Sequence, residues 1–434
     1  MQTRLNRWIL CALMVTAAGL TAAVRAAEEL TVNVAPPVIP GKLFRLADFG
    51  AVADGKTLNT EAFKKAIAAV QKAGGGRLVV DKGEYRTLPF ELCSSLDLHL
   101  DAGAVIMGPA SFADYGIPDP QTLKSQSEVN EKVRSPAPLI TGHNLHDLAL
   151  TGEGVIDGNG ALWWAWSERA ARNKGGNRLI YPRPHLVVIN GCERLHVEGI
   201  TFRNSPKFHL VPNRVTDLLI ERAKFEAPEM APNTDAIDPG LCTRVVIRDC
   251  DINVGDDDVA IKNGGHQILV EDCRLRHGHG VSIGSGTVAG VSQMHVRRCT
   301  FEGTDNGIRI KSMRGAGGPV EDVQYTDLRM KQVGNAIVLD LNYVDNNRPN
   351  FKGDPSKVPS IRNVLIESVT VDGCRNAGRI VGLPDSKITD ITLKNVHITA
   401  EKDLVIENVG TLHRDDVTVD LKPGVGPPPR KELE

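Results

Sequence analysis

Large aromatic side chains are scarce in this 434-residue sequence, where Phe, Trp and Tyr together make up only 4%. Net charge is small too, −2 at neutral pH, which excludes the strong field expected of a nucleic-acid binder. Beyond the N-terminus no stretch approaches the ~20 consecutive apolar residues of a membrane span, so a soluble mature chain is expected. There is no Cys-x-x-Cys pair, which argues against a structural zinc site. Glycine, by contrast, is abundant at 42 residues, alongside many Val, Ile, Thr and Asn. That balance suits stacked strands and turns better than a helical core. Length alone suggests two or three domains. A repeat array escapes that rule, because solenoids lengthen without splitting.

The N-terminus has the organisation of an export signal. Arg4 and Arg7 precede an apolar stretch from Trp8 to Val24, then small residues, with cleavage expected after Ala26 or Ala27. Residues 1–27 are therefore expected to be removed from a secreted or periplasmic protein. Cys11 leaves with them. Cys93, Cys192, Cys242, Cys250, Cys273, Cys299 and Cys374 remain, an odd number that implies at least one free thiol or an intermolecular bond.

A short pattern recurs along the chain: alternating apolar positions, a polar pair, then more alternation. It reads LHVEGITFRN from Leu195, LLIERAKFEA from Leu218, VVIRDCDINV from Val245, ILVEDCRLRH from Ile268 and MHVRRCTFEG from Met294. Related copies start at Leu148, Val323, Val364 and Ile391, and most neighbours lie about 23 to 29 residues apart. A period of that size with strand-like alternation inside it is the signature of a parallel β-helix. Cys250, Cys273 and Cys299 hold one place in three successive units, which predicts an inward ladder of small apolar side chains rather than disulfides. A helix is expected to cap the N-terminal end. Asn59 or Thr60 would start it, Ala62, Phe63, Ala66, Ile67 and Val70 would form its buried stripe, and Gly74 to Gly76 would stop it. The tail from Lys422 is expected to be disordered.

Four adjacent units depart from the pattern: NTDAID at Asn233, GDDDVAIKNG at Gly255, GHGVSIGSG at Gly278 and GIRIKS at Gly307. Aligning Ile237, Val259 and Val281, each 22 residues from the next, places Asp235, Asp257 and His279 in one column, with Asp256 beside it. Burying three polar residues in register would be costly. They are instead expected just before the strand, where the chain bends and the side chains turn outward. Strict alternation favours Asp256 with Asp258 as the outward pair, so Asp258 remains a rival. Arg309 and Lys311 are expected to point outward together. Crowded carboxylates next to cations suit acid–base cleavage of a glycosidic bond in an acidic substrate. Lys262 either binds a further carboxylate or is solvated surface. His277 reads as a turn residue. Trp163, Trp164 and Trp166 either stack on sugar or pack at a cleft edge.

The four motifs, in order and spacing, resemble those of glycoside hydrolase family 28, the polygalacturonases, with the bacterial members closest. ADFGAVADGKTLNTEAFKKAI from Ala47, GEGVIDGNGALWW from Gly152, RPHLVVINGCERLHVEGITFRNSP from Arg183 and IVLDLNY from Ile337 extend the likeness. The resemblance implies a right-handed parallel β-helix over residues 28–421 that hydrolyses polygalacturonate with inversion, endo action being favoured over exo. It implies Asp256 as general acid, Asp235 and Asp257 as the pair activating water, and His279 as support for the acid's proton. Arg309, Lys311 and Tyr343 would bind substrate. No metal or other cofactor is implied, and a monomer with pectin as its only partner is expected. The extra carboxylate of Asp258, where many relatives carry Cys or Asn, would raise its neighbours' pKa values. Alternatives are a rhamnogalacturonan substrate, a lyase on the same fold using calcium and an arginine base, and a non-catalytic binding protein.

Overall fold

The computed structural model describes residues 30–173, 179–344 and 353–428. The expected export segment lies outside them. Every pairing between the named strands is parallel, and each strand pairs with its equivalent one turn later. The chain thus winds as a right-handed parallel β-helix with three faces per turn. Strand Val187–Glu198 shows how a turn is made. Residues 187–190 belong to the first face. A corner at Arg194, φ 62°, swings 195–198 onto the second, and Thr201–Arg203 lies on the third. Equivalent corners recur at Asp217, Arg244 and Gln267, all with φ near 60°. The polar pair inside each repeat is a second corner: Asp249 and Asp272 take left-handed φ of 53° and 55°, which Asp tolerates better than most residues. The next residue then turns inward.

That inward place forms the expected ladder. Cys250, Cys273 and Cys299 are 2% exposed or less, in line with Ala223 and Leu328. All seven described cysteines are buried and free. The cysteine count therefore reflects packing, and burial raises the Cys93, Cys192, Cys242 and Cys374 thiols. On the first face Val187, Leu210, Ile237, Val259, Val281, Ile308 and Ile337 are fully buried in successive turns.

The capping helix runs Thr60–Lys72, with the expected stripe buried and Gly74 at φ 79° behind it. Asn59 stands at the N-cap position, but its side chain does not cap. It bonds instead to the backbone of Val52 and Thr57, fixing the loop that leads into the helix. Of the tail expected to be disordered, residues 429–434 lie outside the described residues, and residues 422–428 are placed. Gln332 donates to the Val425 carbonyl at 3.3 Å, Arg375 to that of Pro427 at 3.0 Å, and the Gly426 N–H to Glu401 at 3.0 Å. A proline-rich segment has little entropy to lose, so a few such bonds suffice to hold it.

Two long insertions, 108–139 and the described residues 158–173 and 179–186, leave the third face before the first-face strands and build a satellite core of Phe112, Val129, Val133, Trp163 and Tyr181. Trp163 is fully buried there, edge-on to Phe112 at 4.9 Å. Trp164 donates to the Ser205 carbonyl at 3.0 Å, and Trp166 packs against the same cluster. The tryptophans are packing residues.

Candidate active site

The four unusual motifs occupy the turns between the third and first faces, and the cleft lies over the first face. Ile237 pairs with Val259, Val259 with Val281, and Val281 with Ile308, as the alignment requires. Asp235, Asp257 and His279 therefore sit at the same bend on consecutive turns. Two glycines make the bend possible. A Cβ on Gly280, φ 73°, would stand 2.0 Å from the Asn306 carbonyl oxygen, and one on Gly278, φ 37°, would collide with Asp258. Asp258 is fully buried and accepts a 2.7 Å bond from the Gly280 N–H. It braces the turn on the side away from the cleft. Alternation stops where the strand does, so its parity carried no weight. His277, φ 59°, is held by Asn253 at 2.8 Å on the third face.

A cleft of about 630 Å³ brings together Asp235, Asp238, Asp256, Asp257, Lys262, Lys311 and Tyr343, with Lys207 and Glu168 towards its N-terminal end. Asp257 is 1% exposed but lies in an ionic setting. Arg309 bonds it directly, Ser282 donates to it at 3.0 Å, Lys311 lies at 3.2 Å and Lys262 at 3.6 Å. Burial alone would raise its pKa, but these cations hold it well below the ordinary carboxylate value. His279 is clamped between two carboxylates, with Nδ1 2.9 Å from Asp256 and Nε2 2.9 Å from Asp305. Burial opposes the imidazolium, but Asp256 and Asp305 raise its pKa to about 9. Burial would likewise raise the Asp256 carboxyl, and His279 more than reverses this. Asp235 goes the other way. Burial and the charge of Asp256 push it up to about 7 against the pull of Lys262. The ligand atoms of Asp256, Asp257 and His279 lie within 4.8 Å of one another, close enough for a cation, but the protein's own Arg309 and Lys311 already meet Asp257.

The structure thus gathers Asp235, Asp256, Asp257, Lys262, His279, Arg309 and Lys311 from the four motifs, and leaves Asp258 out. Tyr343 joins them from the end of strand Pro319–Asp340, its ring 5.6 Å from the Lys311 ammonium.

Residues 114–414 match the family described as Glycosyl hydrolases family 28. The chain belongs to that family. A relative from Vitis vinifera, named as a probable polygalacturonase, is 31% identical over 372 residues, covering 81% of this chain and 73% of its own. An endo-polygalacturonase of Pectobacterium carotovorum is 29% identical over 367 residues, 79% of this chain and 87% of its own. These similarities do not single out bacterial members. Among solved structures, an exopolygalacturonase from Thermotoga maritima superposes with a TM-score of 0.73 at 26% identity, covering 88% of this chain and 94% of that one. The polygalacturonase of Erwinia carotovora gives 0.71 at 26% identity, covering 88% and 100%.

In this family 28 glycoside hydrolase the structure decides between the two readings of Lys262 and adds Arg183 and Asp305, which no motif singled out. Lys262 is not solvated surface: Nζ lies 3.2 Å from Asp235 and 3.6 Å from both Asp238 and Asp257. Its place after inward Val259 and Ile261 was the signal. Arg183, its side chain 2% exposed, donates to the carbonyls of Pro206 and Pro232 and to Asn233 Oδ1 at 2.9, 2.7 and 2.6 Å. It ties together three turns and holds Asn233 3.5 Å from Asp256. Asp305 clamps His279 from the start of the GIRIKS turn. Neither Arg183 nor Asp305 falls on a strand position that alternation can weigh.

Proposed function

We propose that this enzyme is a polygalacturonase that hydrolyses α-1,4-galacturonosidic bonds of pectin, acting as a secreted or periplasmic monomer with no metal. The reading rests chiefly on one observation: two cations, Arg309 and Lys311, stand beside crowded carboxylates in one cleft. Such cations suit a substrate that carries a carboxylate on each sugar. Asp256 acts as general acid, drawing on a proton that it shares with His279 across 2.9 Å. At neutral pH that proton rests on the imidazole. It passes to Asp256 as the glycosidic oxygen becomes basic in the transition state. Asp235 and Asp257 take the proton of the attacking water, which enters opposite the leaving group and inverts the anomeric centre. Arg309, Lys311 and Tyr343 hold the galacturonate that lies towards the C-terminal end of the β-helix.

Endo action is the favoured mode. The satellite lobe at the N-terminal end of the cleft, which contributes Glu168, supports exo action as the second reading. Sizing products on polygalacturonate over time separates the possibilities. Mixed oligomers early mean endo action, mono- or digalacturonate alone means exo, and ultraviolet-absorbing products would refute hydrolysis. Lys311→Ala should raise KM about tenfold, the scale of one charged hydrogen bond, and make binding respond less to salt. An unchanged KM and salt response would remove Lys311 from the substrate site.

A further inference from the structure

Asp238 has no part in the acid–base scheme, yet it lies on the cleft floor. Its side chain is 1% exposed, and neither carboxyl oxygen makes a hydrogen bond. Every other carboxylate in the cleft is better served: Asp235 has Lys262 at 3.2 Å, Asp256 has His279 at 2.9 Å, and Asp257 has Arg309 and Lys311. The nearest cation to Asp238 is Lys262 at 3.6 Å, and that ammonium is closer to Asp235. The charges facing Asp238 are the carboxylates of Asp235, Asp257 and Asp256 and the ammonium groups of Lys262 and Lys207. A buried carboxylate without hydrogen bonds among three negative neighbours is strongly disfavoured. Burial first, and the Asp235 charge second, push its pKa well above the ordinary value. The protonated form is therefore the favoured one, and its O–H has no acceptor among the described residues.

Resting on the polygalacturonase reading of the cleft, we propose that Asp238 is a substrate-binding residue whose neutral carboxyl donates a hydrogen bond to a hydroxyl oxygen of the galacturonate seated over the Asp235 turn. The surroundings choose the class of acceptor. A sugar carboxylate would meet three like charges there, whereas a hydroxyl does not. The site then sorts the two kinds of oxygen on a galacturonate unit, with acid groups going to Arg309 and Lys311 and a hydroxyl to Asp238. The same proton keeps Asp238 from adding a further negative charge beside Asp235, which must be ionised to act as base.

Steady-state kinetics on trigalacturonate with the full-length enzyme test this. Asp238→Asn keeps a donor and should hold kcat/KM within about threefold of wild type, while Asp238→Ala should raise KM about tenfold or more with kcat little changed. The wild-type KM should also rise with pH as the carboxyl ionises, and the Asn variant should lose that rise. An Asn variant as impaired as the Ala variant would show that the negative charge is what matters, and an unimpaired Ala variant would show that there is no contact. Either overturns the proposal. Should the Ala variant fail to fold, the pH profile decides, because an Asn variant whose KM rises with pH as the wild type does overturns it equally. A wild-type enzyme that releases no reducing ends would instead refute the polygalacturonase reading.

Discussion

Asp256→Asn should abolish turnover while leaving the fold and oligogalacturonide binding nearly untouched. The amide keeps the volume of the carboxyl and can still accept the 3.0 Å bond from the Asp257 N–H. What it cannot do is hand on a proton. Loss of a positioned general acid costs roughly 10²–10⁴-fold in rate, so kcat should fall by about that much with KM changed little. Three other aspartates lie in the cleft, but none can take over, the Asp238 proton being engaged by a sugar hydroxyl. Asp257 is held ionised by Arg309 and Lys311, and Asp235 stands beside Lys262 on the neighbouring turn. His279 would keep its bond to Asp305, so the imidazole should stay in place with nothing to deliver its proton. Kinetics, with isothermal titration of oligogalacturonide, read both halves. Near wild-type kcat would remove Asp256 as the acid, and lost binding with intact kcat would reassign it to substrate contact.

The architecture was legible because a β-helix writes its period into the chain. Inward Val and Ile at fixed intervals set the register, and the pairing of Ile237, Val259, Val281 and Ile308 follows it without a slip. The column of Asp235, Asp257 and His279 came from that register alone. Roles within the column did not, because parity ends at the bend. Asp258, which alternation favoured, braces Gly280, and Asp256, one residue earlier, faces His279. Lys262 was visible but underrated, since a lysine on an outward position is usually solvated. Here the site's own carboxylates fold it inward. Asp238 had outward parity too, but its meaning depends on what lies across from it, and that is a property of three turns together. Arg183 and Asp305 come from connections whose length the repeat does not fix. For residues 422–428, composition reports what a segment can do unaided, while Arg375 and Gln332 supply partners from two earlier turns.

The second large effect concerns Asp257, and it separates catalysis from stability. Four carboxylates (Asp235, Asp238, Asp256 and Asp257) share the cleft with Arg309, Lys311, Lys262 and His279. Asp257 is where most of the cations converge. Removing it by Asp257→Ala leaves Arg309 and Lys311, with side chains 12% and 9% exposed, facing each other without their common partner. Breaking a buried ion network in this way costs about 3–5 kcal/mol, so both the chemical-denaturation midpoint and the rate should fall, unlike in Asp256→Asn. The pH dependence gives the sharper reading. The folded pKa of Asp257 lies well below its ordinary value of 3.8, so its stabilisation is complete above the unfolded value and is lost only as pH falls through the folded one. The stability gap between wild type and Asp257→Ala should therefore not close between about pH 8 and about pH 5, and should close only in stronger acid. Asp235 behaves oppositely. With a folded pKa of about 7, its contribution is full below the unfolded value and fades as pH rises through 7, so it cannot imitate the Asp257 signature. A gap that closes between neutral pH and pH 5 would show that Asp257 is not the ionised hub of the site.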